Sequence, residues 1–242
     1  MKASLNQNAD FLAAIQNEPL VYLFGTGISA ALTGKPYSWW QWILDGIRHM
    51  TDTVLASGYE TKLRRDASAE NMIDIVGKVL AATKADGTYD TWMQESLEKN
   101  SITDPALART LRKLLLTQDV FATTNYDLLL EQATGLGTLT YEEPDQAFSM
   151  LERRIATHVL HIHGAYDSAN RIDNIVADEA QYDGVMRDQG AQFIQNILGT
   201  RTLVFVGCGK TTEDCNISRF IQFANTHLKM DKKYYFLHRS GE

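Results

Sequence analysis

Cysteine is scarce in this chain of 242 residues: Cys208 and Cys215 are the only two. Two thiols cannot supply the framework of a disulfide-stapled secreted domain, nor fill a four-cysteine zinc site. The expected setting is therefore a reducing cytoplasm. Cationic side chains are also in short supply, with 23 Lys and Arg against 30 Asp and Glu and a formal charge of −7. That balance argues against a broad phosphate-backbone surface, which needs clustered Lys and Arg, so direct nucleic-acid binding is not expected. No apolar run approaches the ~18 residues of a membrane span. Met1 to Asn8 is polar and lacks the basic-then-apolar order of a secretory signal. Internal repeats and low-complexity tracts are missing as well.

What is present is an alternation of apolar, strand-like runs with amphipathic, helix-like stretches. Leu20–Phe24 is continuously apolar, the sign of a strand covered on both faces. Val120–Thr123, His158–His161, Thr202–Val206 and Lys233–Leu237 read as further strands, and Ile172–Ala177 as a short one. Helices are expected over residues 9–17, Trp39–Thr53, Asn71–Ala82, Tyr89–Glu98, Asp104–Leu116, Leu128–Gln132, Asp145–Ala156, Ala191–Leu198 and Ile217–Leu228. Asp104-Pro105 is a helix start, with Asp at the cap and Pro in the first turn. Residues 57–118 contain no clear strand and read as a helical insertion between the first two core strands. The expected fold is α/β: a Rossmann-like, mostly parallel sheet with helices on both faces, forming a single domain over residues 1–242. A strand at Tyr234–Leu237 so close to the last residue leads to the expectation of an N-terminal piece of a longer protein, the alternative being an edge strand that ends the fold.

Small or polar clusters follow the apolar runs: Gly25-Thr26-Gly27-Ile28-Ser29, Thr124-Asn125-Tyr126-Asp127, His161-Ile162-His163-Gly164, Ile175-Val176 with Tyr182, and Gly207-Cys208-Gly209. Strand ends of an open α/β sheet converge on one crevice. Strand, glycine and helix start together present backbone N–H groups to a phosphate with no Cβ in the way. The turn lacks the third glycine and the later acidic residue of the usual dinucleotide fingerprint; alone, it is equally a tight strand–helix connection. Asn125 offers a donor and an acceptor and Asp127 only acceptors, a pair suited to holding a ribose or a water; either could instead cap the following helix. If the strand persists, His161 and His163 share a face. His163, at the strand exit before Gly164, has room to face the crevice and is preferred over His161. A zinc site on the two imidazoles would need a third ligand that the spacing does not offer. Gly207 and Gly209 suggest a second close approach of backbone to ligand, or an ordinary turn. Cys208, with no acid or base beside it in sequence, reads as a small apolar filler.

In this order the clusters resemble the sirtuin superfamily, and within it the bacterial sirtuin-like branch found in anti-phage defence proteins. Gly25-Thr26-Gly27-Ile28-Ser29 is similar to that family's pyrophosphate-binding turn, with Thr26 replacing an alanine. Gly34-Lys35-Pro36 is similar to the glycine-isoleucine-proline that follows, and Trp39 and Trp40 stand where phenylalanine-arginine is expected. Thr124 to Asp127 matches the asparagine/aspartate motif near the nicotinamide ribose, and His163-Gly164 the catalytic histidine-glycine. Gly207-Cys208-Gly209 with Asp214 and Asn216 resembles the turn on the adenosine side. The protein-deacylating branch carries a four-cysteine zinc module, but Gly164 to Val206 contains no cysteine.

The resemblance implies an NAD+ glycohydrolase without zinc that releases nicotinamide and ADP-ribose as an effector of anti-phage defence. The implied catalytic residues are His163, Asn125 and Asp127. Those implied to hold NAD+ are Gly25, Thr26, Gly27, Ser29, Gly207, Gly209 and Asn216. It also implies a homo-oligomer, or a fused or associated sensor domain, to keep the activity in check. The competing readings are a sensor module that binds NAD+ or ADP-ribose without turnover, and an NAD-dependent protein deacylase.

Overall fold

A computed structural model describes residues 9–18, 20–115, 119–208 and 234–237. Six parallel strands form the central sheet: β1 (Leu20–Phe24), β2 (Val120–Thr123), β3 (Gly137–Thr140), β4 (His158–His161), β7 (Thr202–Val206) and β8 (Tyr234–Leu237), in the order β3-β4-β2-β1-β7-β8. The remaining two, β5 (Tyr166–Asp167) and β6 (Ile172–Asp173), make a short antiparallel ribbon. The mostly parallel α/β architecture expected from the sequence is thus present.

The alternation of β1 shows why so apolar a run was needed. Val21 and Leu23 point into one core with Val120, Ala122, Leu160, Leu203 and Phe205. That face is covered by α9 (Pro144–Arg153) and α11 (Gln189–Gly199), through Ala147, Met150, Ile194 and Leu198. Leu20, Tyr22 and Phe24 point the other way, with Phe121, Val159 and Val204. There they meet α1 (Ala9–Asn17), α2 (Thr26–Thr33), α7 (Pro105–Leu114) and α8 (Leu129–Thr134). A central strand buried on both faces is the condition that favours continuous rather than alternating hydrophobicity.

Between β1 and β2 the regular elements of the described chain are all helical, from α2 through α3 (Trp39–Arg48), α4 (Thr53–Arg65), α5 (Ala69–Asp86), α6 (Tyr89–Met93), a π turn over Gln94–Glu98, and α7. The lobe has its own core of Trp42, Ile43, Ile47, Ile75, Val79 and Trp92. Trp92 lies so close over Gly46 that a Cβ there would sit 2.4 Å from the indole. Tyr126, Tyr166, Ile175 and Ala177, from the segments that follow β2 and β4, complete this core. The lobe therefore packs on the C-terminal side of the sheet. Helix α10 (Glu179–Arg187) joins the two parts, because Tyr182 and Val185 pack with Ile73 of α5.

Several boundaries differ from the sequence expectation. The helix expected over Trp39–Thr53 stops at Arg48, and α4 starts at Thr53, capped by the Asp52 carboxylate on Val54 N and Leu55 N. The short strand expected over Ile172–Ala177 is only Ile172–Asp173; beyond it, Asn174 and Val176 spend their amides on Ala165 O and His163 O, outside any sheet. Strand β3 and helices α4 and α10 were not anticipated. The helix expected at Ile217–Leu228 lies outside the described residues.

The chain departs in opposite directions from β1, toward β2 on one side and β7 on the other, so β1/β7 is a topological switch point of the sheet. There the two turns meet main chain to main chain. Gly25 N donates to Val206 O at 3.0 Å and Gly27 N to Gly207 O at 2.9 Å. A Cβ on Gly25 would lie 2.7 Å from Cys208 Cα, and one on Gly27 2.7 Å from Gly207 Cα. Gly207 itself sits at φ 64. Gly27→Ala or Gly207→Ala should lower the free energy of unfolding by about 1–3 kcal/mol through overpacking, whereas Gly58→Ala, at an uncrowded exposed site in α4, should raise it by about 0.5–1 kcal/mol. Urea denaturation of the three variants checks both signs.

Candidate functional site

The polar clusters gather at the C-terminal ends of β1, β2 and β4. Thr123, the last residue of β2, donates its hydroxyl to Phe24 O at 3.0 Å and accepts from Asn125 N at 3.0 Å. This bends the chain so that the Asn125 side chain turns back over β1. Its Nδ2 donates to Gly25 O at 3.1 Å and to Ser29 Oγ at 2.9 Å. Both amide hydrogens are then used. The carboxamide oxygen Oδ1 is buried and has no hydrogen-bond partner among the described residues.

Ser29, fully buried on α2, donates its own hydroxyl to Asp127 Oδ2 at 2.9 Å. The other carboxylate oxygen, Oδ1, accepts from Leu129 N at 3.1 Å. Asp127, one residue before the N-cap Leu128, thus holds the first amide of α8 while also holding Ser29. Burial pushes its carboxyl above the usual carboxylate range, against the backbone and Ser29 hydrogen bonds that favour the anion. Tyr37 stands close by. Burial, followed by the nearby Asp127 carboxylate, drives its phenol well above the ordinary value. The same hydroxyl donates to Ser96 O, in the π turn, at 3.1 Å. Nothing in the sequence periodicity singled out Tyr37, since its role depends on a turn 59 residues away.

The two histidines diverge, contrary to the shared face that a continuing strand would give. Strand β4 ends at His161. His161 is wholly buried, with Nδ1 2.8 Å from Asn125 O and Nε2 2.7 Å from Glu131 Oε1 on α8. Burial works against its charge, but the Glu131 carboxylate, its hydrogen bond and the Asn125 carbonyl prevail and raise the imidazole above its ordinary value. His163 lies in the turn beyond. Its carbonyl accepts from Val176 N at 2.8 Å, and its ring meets Tyr182 edge to face at 5.5 Å between centroids. Tyr126 OH closes the circuit by donating to Val176 O at 2.8 Å. Ile175-Val176 and Tyr182, singled out in the sequence, are therefore the immediate surroundings of His163. Gly164 follows at φ 74, where a Cβ would fall 2.0 Å from Asn174 O.

The nucleotide-side residues are placed as follows. Gly25 O accepts from Asn125, Gly27 N–H is engaged by Gly207 O, and Thr26 opens α2. Gly25, Gly27 and Gly207 are therefore required first of all by the contact between the two turns, a reason the sequence reading did not include. Cys208 is buried, its Sγ lies 3.2 Å from Leu23 O, and burial pushes its thiol up to about 12, as suits an inert filler. Gly209, Asp214 and Asn216 lie outside the described residues. Among the described residues no three His, Cys, Asp or Glu side chains are grouped to hold a metal ion, and no helix is long and apolar enough to cross a membrane.

Residues 119–242, from the residue before β2 onward, match the SIR2-like domain family. The chain belongs to that family. SIR2-like domains form an NAD-utilising superfamily, and the matched segment of this one contains Asn125, Asp127, Glu131, His161, His163 and Gly207. Its β1 and glycine turn precede the matched segment, but Asn125 binds both Gly25 and Ser29, so the two regions form one polar cluster.

The buried His161–Glu131 pair makes a stability prediction. Glu131→Ala should cost about 3–5 kcal/mol near pH 6, because it strands a buried imidazolium. A raised folded pKa gives stability that is complete below the unfolded histidine value of about 6.5 and is lost as pH rises through the folded one. The gap between wild type and variant should therefore narrow from pH 6 to pH 9 in urea titrations. A gap that widened would contradict a protonated His161.

Proposed function

We propose that this SIR2-like domain hydrolyses NAD+ at the bond between nicotinamide and ribose. The observation that carries the proposal is the buried carboxamide of Asn125: both donors are spent on the protein and its acceptor oxygen has no donor among the described residues, at the switch point of a fold whose family uses NAD. A buried acceptor without a donor is costly, and a water or ribose hydroxyl would satisfy it.

In the proposed reaction the C1′–N bond breaks with its electron pair passing to the pyridine nitrogen, so nicotinamide leaves neutral and needs no acid. Positive charge spreads over C1′ and the ring oxygen, as in other glycoside cleavages. Water adds at C1′ and yields ADP-ribose, its proton passing to the His163 imidazole as general base. Asn125 orients the water or ribose hydroxyl. Asp127 acts through Ser29, holding the hydroxyl against which the Asn125 amide rests. Gly25, Thr26, Gly27 and Ser29 belong to the turn beside the phosphates, and Gly207, Gly209 and Asn216 to the adenosine side. The proposal includes a role as effector in anti-phage defence, restrained by self-association or by an attached sensor, because unrestrained NAD+ loss harms the host cell.

Incubation of the protein with NAD+ and chromatography for free nicotinamide tests the reaction. His163→Ala and Asn125→Ala should each reduce turnover by about 10²–10⁴-fold while the far-UV spectrum stays unchanged. Wild-type turnover in either variant would remove its assignment. Binding without nicotinamide release would favour the sensor reading, and release only with an acyl-lysine peptide the deacylase.

A further inference from the structure

His161 has no part in the reaction above, yet it is the most completely enclosed titratable side chain beside it. Its two nitrogens have different partners. A main-chain carbonyl can only accept, so Nδ1, 2.8 Å from Asn125 O, carries a proton. Nε2 faces the Glu131 carboxylate at 2.7 Å and donates as well. Glu131 is set in turn by α8 and by the Thr138 hydroxyl on β3, which donates to the same Oε1 at 3.3 Å. The other charged group acting on the ring is Asp127, whose proximity also favours the imidazolium.

The effect falls on Asn125. Its amide N is fixed by Thr123 Oγ1, its carbonyl by His161, and its side-chain donors by Gly25 and Ser29. A carboxamide two rotatable bonds from the backbone inherits any rotation of the main chain. Without the imidazole, the Asn125 carbonyl is a buried acceptor free to turn in search of a donor, taking the side chain with it.

We propose that His161 is a positioning residue for Asn125. Its Nδ1–H holds the Asn125 main chain in the orientation that leaves the carboxamide oxygen open to the dinucleotide, and Glu131 holds His161. The inference rests on the reading of Asn125 as the residue that orients water or ribose. The alternative is that the His161–Glu131 pair only ties β4 to α8.

The stereochemistry of two amides separates these roles. The Nδ2 of an Asn at position 161 overlays the imidazole Nδ1, and the Nε2 of a Gln overlays Nε2. His161→Asn therefore keeps the donor to Asn125, and His161→Gln keeps the contact with residue 131. Both are made together with Glu131→Gln, so that neither leaves a buried carboxylate unpaired. Nicotinamide release by H161Q/E131Q should show kcat about 10²-fold below that of H161N/E131Q, the scale of a small misplacement, at unchanged KM for NAD+. Equal kcat values, or the reverse order, would overturn the proposal.

A second measurement needs no turnover. The Asn125 carboxamide resonances in asparagine-labelled protein, assigned by their loss in Asn125→Ala, should keep the wild-type position in H161N/E131Q and move in H161Q/E131Q. Indistinguishable positions would overturn the positioning role. If the wild type releases no nicotinamide, the hydrolase reading fails, and these resonances alone decide whether His161 sets Asn125.

Discussion

The meeting of main chain with main chain between Gly25–Gly27 and Gly207 is the constraint on which the site depends. Two turns at the switch point share a pair of hydrogen bonds and leave no room for a Cβ on either side. This fixes the start of α2 relative to β7, and with it the Gly25 carbonyl and the Ser29 hydroxyl. Those are the two acceptors that orient the Asn125 amide. Glycine here serves the protein before it serves any ligand.

Around that contact the interior changes character over a short distance. The middle of the sheet is apolar on both faces, while its C-terminal rim buries Ser29, Asn125, Asp127, Glu131, His161 and His163. Most of their polar atoms are paired with one another or with the main chain, which offsets much of the desolvation cost. Asn125 Oδ1 and Glu131 Oε2 are buried acceptors with no hydrogen-bond partner among the described residues. Tyr37 and the π turn add a connection from the helical lobe, so the lobe contributes to the environment of Asp127 as well as covering it. Local departures from ordinary helix geometry of this kind are often found at functional sites.

Much of this was legible in the sequence, for reasons that can be named. Leu20–Phe24, Val120–Thr123 and Thr202–Val206 announce themselves because burial on both faces demands unbroken apolar runs. Strand β3 was missed because Gly137-Thr138-Leu139-Thr140 sits at the sheet edge, where half of its residues need no apolar side chain. Helix α4 buries only Leu63, so its stripe is too thin to read, although Asp52 was an available cap signal. Helix α10 carried a better one: Asp178 and Gln181 form a reciprocal capping box. The site clusters were visible as polar interruptions at strand ends. What the sequence could not convey was the partition of work between His161 and His163. His161 ends the strand and His163 lies in the turn that follows, whose geometry depends on Asn174, and Glu131 lies 30 residues from the imidazole it binds.

The family-matched segment opens at Asp119, and the middle strand of the sheet lies before it. Strand β1 pairs with β2 on one side and β7 on the other, and Asp119 itself accepts from Leu20 N at 2.9 Å. Cutting the polypeptide where the matched segment begins would strip β1 from between β2 and β7 and leave both with unpaired edges, a liability for aggregation. The matched span therefore leaves out a strand that the sheet needs. Strand β1 is also tied to side chains 99 residues away at Asp119 and 185 away at Cys208, non-local contacts of the kind that go with slow folding.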